Sequence, residues 1–376
     1  MRALRARADR ALGAMIKHLG SKRTLLPTIL GVIEQLGAHT AGGTRTVLDL
    51  FAGTSRVGHA LKAAGYRVRA NDHNQYAYTL ARCYVEADRD SVLHDAQRLI
   101  AEFNQLPGAP GYFTHSFCEQ SRFFQPRNGA RIDAIREAIA AKALPPLLEA
   151  VLLVALMEAA DRVDSTTGLQ MAYLKSWAPR SHNELELRMP DVLPRTTAER
   201  CGAHMLEAGD AARTLEGDIA YLDPPYNQHS YRGNYHIWET LVRWDKPEHY
   251  GVACKRVDCR TYQSPFNSRR RCKDALADVI ANVRARHLVV SFSNEGYITR
   301  DEMLALLGSR GHVVSVTRDY TRYVGAKIGI YNPGGKKVGT VGHLVNQEHV
   351  FVCSPDALPA LDALSAAGLA QGISVA

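Results

Sequence analysis

"TVLDLFAGTSRVGHALKAAGYRVRAND", residues 46–72, decides the fold. It opens with an apolar run of strand length. Ala52-Gly53-Thr54-Ser55 is then a turn of small residues, leading into a helix that stops at Gly65. "YRVRAND" reads as a second strand closed by the polar pair Asn71-Asp72, and "QYAYTLARCYVEA" (75–87) as a second helix. Strand, helix, strand, helix at this spacing predicts a parallel sheet covered by helices.

Further along, the rhythm breaks. Residues 88–204 hold helical stretches ("ARIDAIREAIAAKA", "PLLEAVLLVALMEAADRV") between Gly/Pro/Asn/Ser-rich connections and show no strand–helix alternation. This segment reads as an insertion. Alternation resumes with "AHMLEAGDA", "DIAYLDPPY" (218–226) and "HLVVSFSN" (287–294) as strands. "HVVSVTRDY" and "EHVFVCS" follow as an antiparallel pair, joined by the basic, Gly-rich loop "VGAKIGIYNPGGKKVGTVGH". The expectation is therefore seven strands, with a catalytic unit over 15–87 and 205–376, an inserted subdomain over 88–204, and a basic arm over 1–14. Translation starting at Met15 instead of Met1 would remove that arm.

A chain of 376 residues with 46% hydrophobic and 22% charged residues is globular in composition. Its net charge of +8 and pI near 9.1 favour a polyanionic partner. Seven scattered cysteines, an odd number, fit free thiols in a reducing cytoplasm. His249, Cys254, Cys259 and Cys272 lack paired C-x-x-C spacing, so no metal is expected. The longest apolar run, Leu147 to Met157, is too short to span a bilayer.

Chemistry gathers at the strand ends. In "DLFAGTSRVG" (49–58), Gly53 lets backbone approach a ligand closely, although an ordinary tight turn fits the same residues. The absence of G-x-G-x-x-G argues against a pyrophosphate seat, and so against a dinucleotide oxidoreductase. Asp72 can accept from both hydroxyls of a ribose or act at the start of the next helix. Asp210, in "AGDA", is placed by the same logic at the next strand end, to meet an adenine amino group. The segment "AYLDPPY" (220–226) is the most specific. Two prolines end the strand and free carbonyl oxygens, so Asp223 and the Pro224 carbonyl can receive the two hydrogens of an exocyclic amine. Pro225 fixes the backbone, and Tyr226 offers a face for stacking a base.

"KHLGSK" (17–22), "DLFAGTSRVG", "AND" and "DPPY" stand in the order of the alpha-group, Dam-like adenine-N6 DNA methyltransferases, which the chain resembles at both ends but not across 88–204. "YNQHSYRGNYHIWETL" (226–241) and "LVVSFSNEGYI" (288–298) are similar to segments of restriction-modification members. The resemblance implies a class I methyltransferase (Rossmann-like) fold that uses S-adenosylmethionine. Lys17, Gly20 and Lys22 would close over that cofactor, Asp49, Phe51, Ala52 and Gly53 would line it, Asp72 would hold its ribose and Asp210 its adenine. Asp223, Pro224, Pro225 and Tyr226 would hold a flipped adenine for direct transfer of a methyl group to N6. Two departures are His18-Leu19, where an aromatic residue is frequent, and "FAGTS", which replaces the commoner "FxGxG".

The resemblance also implies double-stranded DNA as substrate and brings a cognate restriction endonuclease into view as a partner. A monomer is expected of an enzyme that modifies one base at a time. "CKRVDCRTYQSPFNSRRRCK" (254–273) carries Lys255, Arg256, Arg260, Arg269, Arg270 and Arg271, which either track phosphates or form a solvated loop. Tyr231, Asn234, Tyr235 and His236 are further candidate DNA contacts. The 88–204 insertion is the candidate for reading bases, through "SFCEQSRFFQPRNGARID" and "LKSWAPRSHNELELR". Rival readings are a ribosomal RNA amine methyltransferase and a DNA-binding module that has lost catalysis.

Overall fold

The computed structural model describes residues 15–18, 20, 22–39, 45–321, 330–331, 337–339, 345–356 and 372–375. The strands of the main sheet are β1 (Thr46–Asp49), β2 (Arg67–Asn71), β3 (Gly202–His204), β4 (Glu216–Leu222), β5 (Arg284–Ser293), β6 (His312–Thr321), β7 (Val345–Ser354) and β8 (Gly372–Val375). They form one sheet in the order β8-β6-β7-β5-β4-β1-β2-β3. From β3 to β5 every pairing is parallel, while β7 runs antiparallel to both β5 and β6. This is the mostly parallel arrangement of seven strands expected from the sequence, with the short β8 added at one edge.

The longer helices are α1 (Leu26–His39), α2 (Arg56–Ala63), α3 (Gln75–Ala81), α4 (Arg89–Asn104), α5 (Pro126–Ala141), α6 (Pro146–Val163), α7 (Ala208–Thr214), α8 (His236–Arg243), α9 (Cys272–Asn282) and α10 (Arg300–Gly308). Alternate strand residues point to opposite faces. Val47, Ile219, Tyr221 and Val289 therefore pack with α1 and α2, while Leu48, Ala220, Leu222 and Leu288 pack with α7, α9 and α10. Both faces are covered, which is why these strands read as continuous apolar runs.

A third cluster lies beside the sheet. The helices of 88–204 share it with Tyr76, Leu80 and Tyr84 and with Tyr235, Trp238 and Leu241. The apolar run expected to be too short for a bilayer lies in α6, which is buried on nearly every side. Among the described residues no helix is long and apolar enough to cross a membrane.

One expected strand is corrected. "AHMLEAGDA" is strand only as far as His204, and Asp210 stands in α7. Ala208, Ala211 and Ala212 recur at helical spacing on one buried face, and no β-branched residue favours extension. The basic arm (1–14) and Leu19 and Ser21 of the first motif lie outside the described residues. So does the Gly-rich loop after β6, apart from the paired segments Ile330–Tyr331 and Lys337–Gly339.

Candidate active site

At the carboxyl ends of β1, β2 and β4 lies a cavity of about 850 Å³, open mouth included. Gly53 (φ 51°) and Ser55 (φ 60°) both adopt left-handed backbone, turning the chain sharply from β1 into α2. The Gly53 amide donates to Asp72 Oδ2 at 3.0 Å, and Asp72 Oδ1 accepts from the Asn74 amide at 2.9 Å. Asn74, not Asp72, is the N-cap residue of α3, so Asp72 borders the cavity as an acceptor tied to the turn. Phe51 and Ala52 complete this wall, the Phe51 ring meeting Phe266 edge to face at 5.1 Å.

Asp49 lies at the base of the cavity, 1% exposed. Neither of its oxygens makes a well-formed hydrogen bond, and the Gly58 amide pulls on them only weakly. Burial, followed by the charges of Asp223 and Asp72, pushes its carboxyl up to about 8. A buried carboxyl that faces a cavity without a counter-charge fits a cationic ligand, which would supply it. A sulfonium group meets that requirement.

The N-terminal segment closes one side. His18 stacks on Tyr235 at 4.3 Å and on Tyr231 at 5.1 Å between centroids, and its Nε2 lies 3.2 Å from the Tyr76 hydroxyl. A histidine thus fills the place where the resemblance led one to expect an aromatic ring. Gly20 (φ 76°) follows, and a Cβ there would come 3.0 Å from the Tyr231 hydroxyl.

Asp223 follows directly on the end of β4. Its Oδ1 receives Lys22 Nζ at 2.9 Å and Ser291 Oγ at 3.1 Å, and Ser291 is tied in turn to the Tyr221 hydroxyl at 2.9 Å. Burial raises the Asp223 carboxyl and Lys22 opposes that rise. For Lys22, burial alone would lower the ammonium, but Asp223 and Glu348 outweigh it and hold it well above its ordinary value. Pro225 lines the main cavity, while Pro224 and Tyr226 lie over a small apolar recess formed with Phe266, Phe292 and Ile298. The Tyr226 ring is braced by Phe292 at 5.7 Å.

Several expected contacts stand elsewhere. Lys17 is drawn away from the cavity to Asp161 and Asp164 of the α6 end, at 3.3 and 3.2 Å. Asp210 is exposed on α7, and Leu206, Glu207 and Ala208 line the cavity in its place. Asn234, Tyr235 and His236 are at most 2% exposed, so they cannot meet a duplex. His236 Nε2 pairs with the Gln170 carbonyl at 2.9 Å, and burial pushes its imidazole down to about 3. Tyr231 lines the cavity. Arg256 is buried between Asp245 (2.7 Å) and Asp258 (3.1 Å). Lys255 is half-buried, Arg260 lies over the Tyr250 ring at 3.7 Å, and Arg269, Arg270 and Arg271 are exposed.

Ser291 and Glu348 were missed from the sequence, where His18 stands out only as a departure within the first motif. Glu348 left a weak signal there, as the single carboxylate in the strand Val345–Ser354. Among the described residues no cluster of three or more His, Cys, Asp or Glu side chains could hold a metal ion.

The sequence pattern of the family described as D12 class N6 adenine-specific DNA methyltransferase matches residues 18–305. The modification methylase StsI of Streptococcus sanguinis is 28% identical over 306 residues, which cover 78% of this chain and 46% of that protein. The type II methyltransferase M.FokI of Planomicrobium okeanokoites is 29% identical, covering 79% and 47%. The chain thus spans about half the length of these two relatives. The type II methyltransferase M.NlaIII of Neisseria lactamica is 27% identical and is covered over 92% of its length.

Proposed function

The chain belongs to the D12 class N6 adenine-specific DNA methyltransferase family, and from that premise we propose that it methylates the N6 amino group of adenine at a specific site in double-stranded DNA. S-adenosylmethionine is the methyl donor this reading requires, supplying an electrophilic methyl group on a sulfonium. Asp49, Phe51, Ala52, Gly53 and Asp72 would hold it, with His18 and Gly20 closing over it. The reading extends to a monomer acting in the cytoplasm within a restriction-modification system, beside a cognate endonuclease.

What carries the proposal is the way Asp223 is held. Lys22 and Ser291 both engage Oδ1, so Oδ2 stays available to a ligand. An exocyclic amine that donates to Oδ2 and to the Pro224 carbonyl has its lone pair drawn out of conjugation with the ring and aimed away from both acceptors. Orientation of this kind is worth several kcal/mol in a displacement reaction. Asp223 therefore acts by positioning, because an amine that has gained a methyl group is cationic and sheds its proton readily. Tyr226, braced by Phe292, presents a ring on which a flipped base can stack. Lys255, Arg260 and Arg269–Arg271 would follow phosphates, and the 88–204 segment would read the sequence.

Base-resolved mapping of modified adenines in plasmid DNA from cells expressing the intact chain, beside Asp223→Ala, tests this. Modified adenines in one short motif are expected with the intact chain alone, and purified Asp223→Ala should lose at least about 1,000-fold in rate with cofactor affinity nearly unchanged. Unmodified DNA from protein that still binds the cofactor would turn the reading towards RNA, and failure to bind it towards a silent module.

A further inference from the structure

Lys22 is 7% exposed and touches two carboxylates, Asp223 at 2.9 Å and Glu348 at 2.6 Å. One carboxylate would balance the charge of a buried ammonium, whose remaining N–H groups need only neutral acceptors. The second is costly, because Glu348 is itself only 4% exposed, on β7 ahead of the core residues Val350 and Val352. Burying an additional carboxylate seldom adds stability. Glu348 also lies beyond residue 305, where the family match ends.

Resting on the methyltransferase reading above, we infer that Glu348 is a positioning residue for the reaction, holding Lys22 so that the lysine is shared between two carboxylates and Asp223 keeps Oδ2 free as a strong acceptor for the target amine. Given Lys22 alone, Asp223 would surrender more of its charge to the ammonium and accept hydrogen bonds less well. The groups that face Asp223 are Lys22 from the N-terminal turn, Glu348 from β7, Asp49 from β1, Tyr221 from β4 and Tyr231 from the turn beyond the tetrapeptide. Glu348 and Lys22 act on it in opposite senses.

The test is the single-turnover rate of methyl transfer against pH for the full chain and for Glu348→Gln, with S-adenosylhomocysteine binding followed by calorimetry. Glu348→Gln should slow transfer by about 100-fold through misplacement of the acceptor while leaving that binding within about threefold. Its acid limb should move to lower pH, because removing a nearby negative charge favours the ionised form of Asp223. If this variant does not fold, Glu348→Asp carries the same test. Its carboxylate is kept but drawn back by one methylene, so the rate should fall and the binding hold.

An unchanged rate overturns the inference, as does a slower rate with an unmoved acid limb and a parallel loss of binding, which would mark Glu348 as structural only. An intact chain that binds S-adenosylhomocysteine but transfers no methyl group to any DNA overturns the methyltransferase reading, and this inference with it.

Discussion

Asp49 shows how a single carboxyl couples the site to the stability of the fold. Burial holds its proton up to about 8, while in the unfolded chain the proton leaves in the ordinary carboxylate range. Between those limits the folded protein binds more protons than the unfolded one, so stability falls as pH rises. One proton contributes a slope of at most about 1.4 kcal/mol per pH unit. Glu158, pushed up to about 7, and Asp161, pushed up to about 6, act in the same sense, so the wild-type slope is a composite. Comparison with Asp49→Asn isolates the residue: urea unfolding across this pH range should show a shallower decline in the variant. Equal slopes in the two proteins would mean that Asp49 finds its counter-charge within the folded chain.

At the scale of elements, the turn that follows β1 and the tetrapeptide that follows β4 were legible because their chemistry is local: a glycine that turns the chain, and prolines that end a strand. The segment after the tetrapeptide was not. Tyr235 and His236 look like surface contacts in the sequence, and only the packing of α8 against the helices of 88–204 buries them. Arg256 reads like its basic neighbours until Asp245 and Asp258 are brought to it by folding. Asp210 belongs to a segment whose alanines recur at helical, not strand, spacing, which carries it out of the cavity. His18 makes the same point about pairing across the chain, since its partners Tyr231 and Tyr235 are far away in sequence. That stack is open to test. His18→Ala should weaken S-adenosylmethionine binding by up to about tenfold, the worth of one aromatic contact, and His18→Phe should restore most of it. A phenylalanine variant as weak as the alanine variant would show that the Tyr76 contact, not the stack, holds the segment.

Over the whole molecule, the alternation of strands and helices gave a mostly parallel sheet closed by an antiparallel pair but not the order of its strands, whereas the charge of +8 says only that some anion is welcome. The structure divides that charge into two kinds. Arg256 is consumed internally, while Arg269, Arg270 and Arg271 face solvent beside the start of α9, on the same polypeptide stretch as Phe266 of the cavity wall. Each lysine or arginine that neutralises a phosphate releases counterions and adds about 0.9 to the slope of log affinity against log salt. Replacing the three exposed arginines with glutamine should therefore flatten the slope for duplex DNA by about 2 to 3 and weaken binding similarly on every sequence. Arg256→Met supplies the contrast. It should cost about 1–3 kcal/mol of folding stability, the range for charged hydrogen-bonding groups left without a partner, and leave the slope unaltered, because a buried guanidinium releases no phosphate counterions. If the triple variant keeps the wild-type slope, the run is a solvated loop and the duplex lies on another face. If Arg256→Met flattens the slope, the Asp245–Arg256–Asp258 cluster must open when DNA binds.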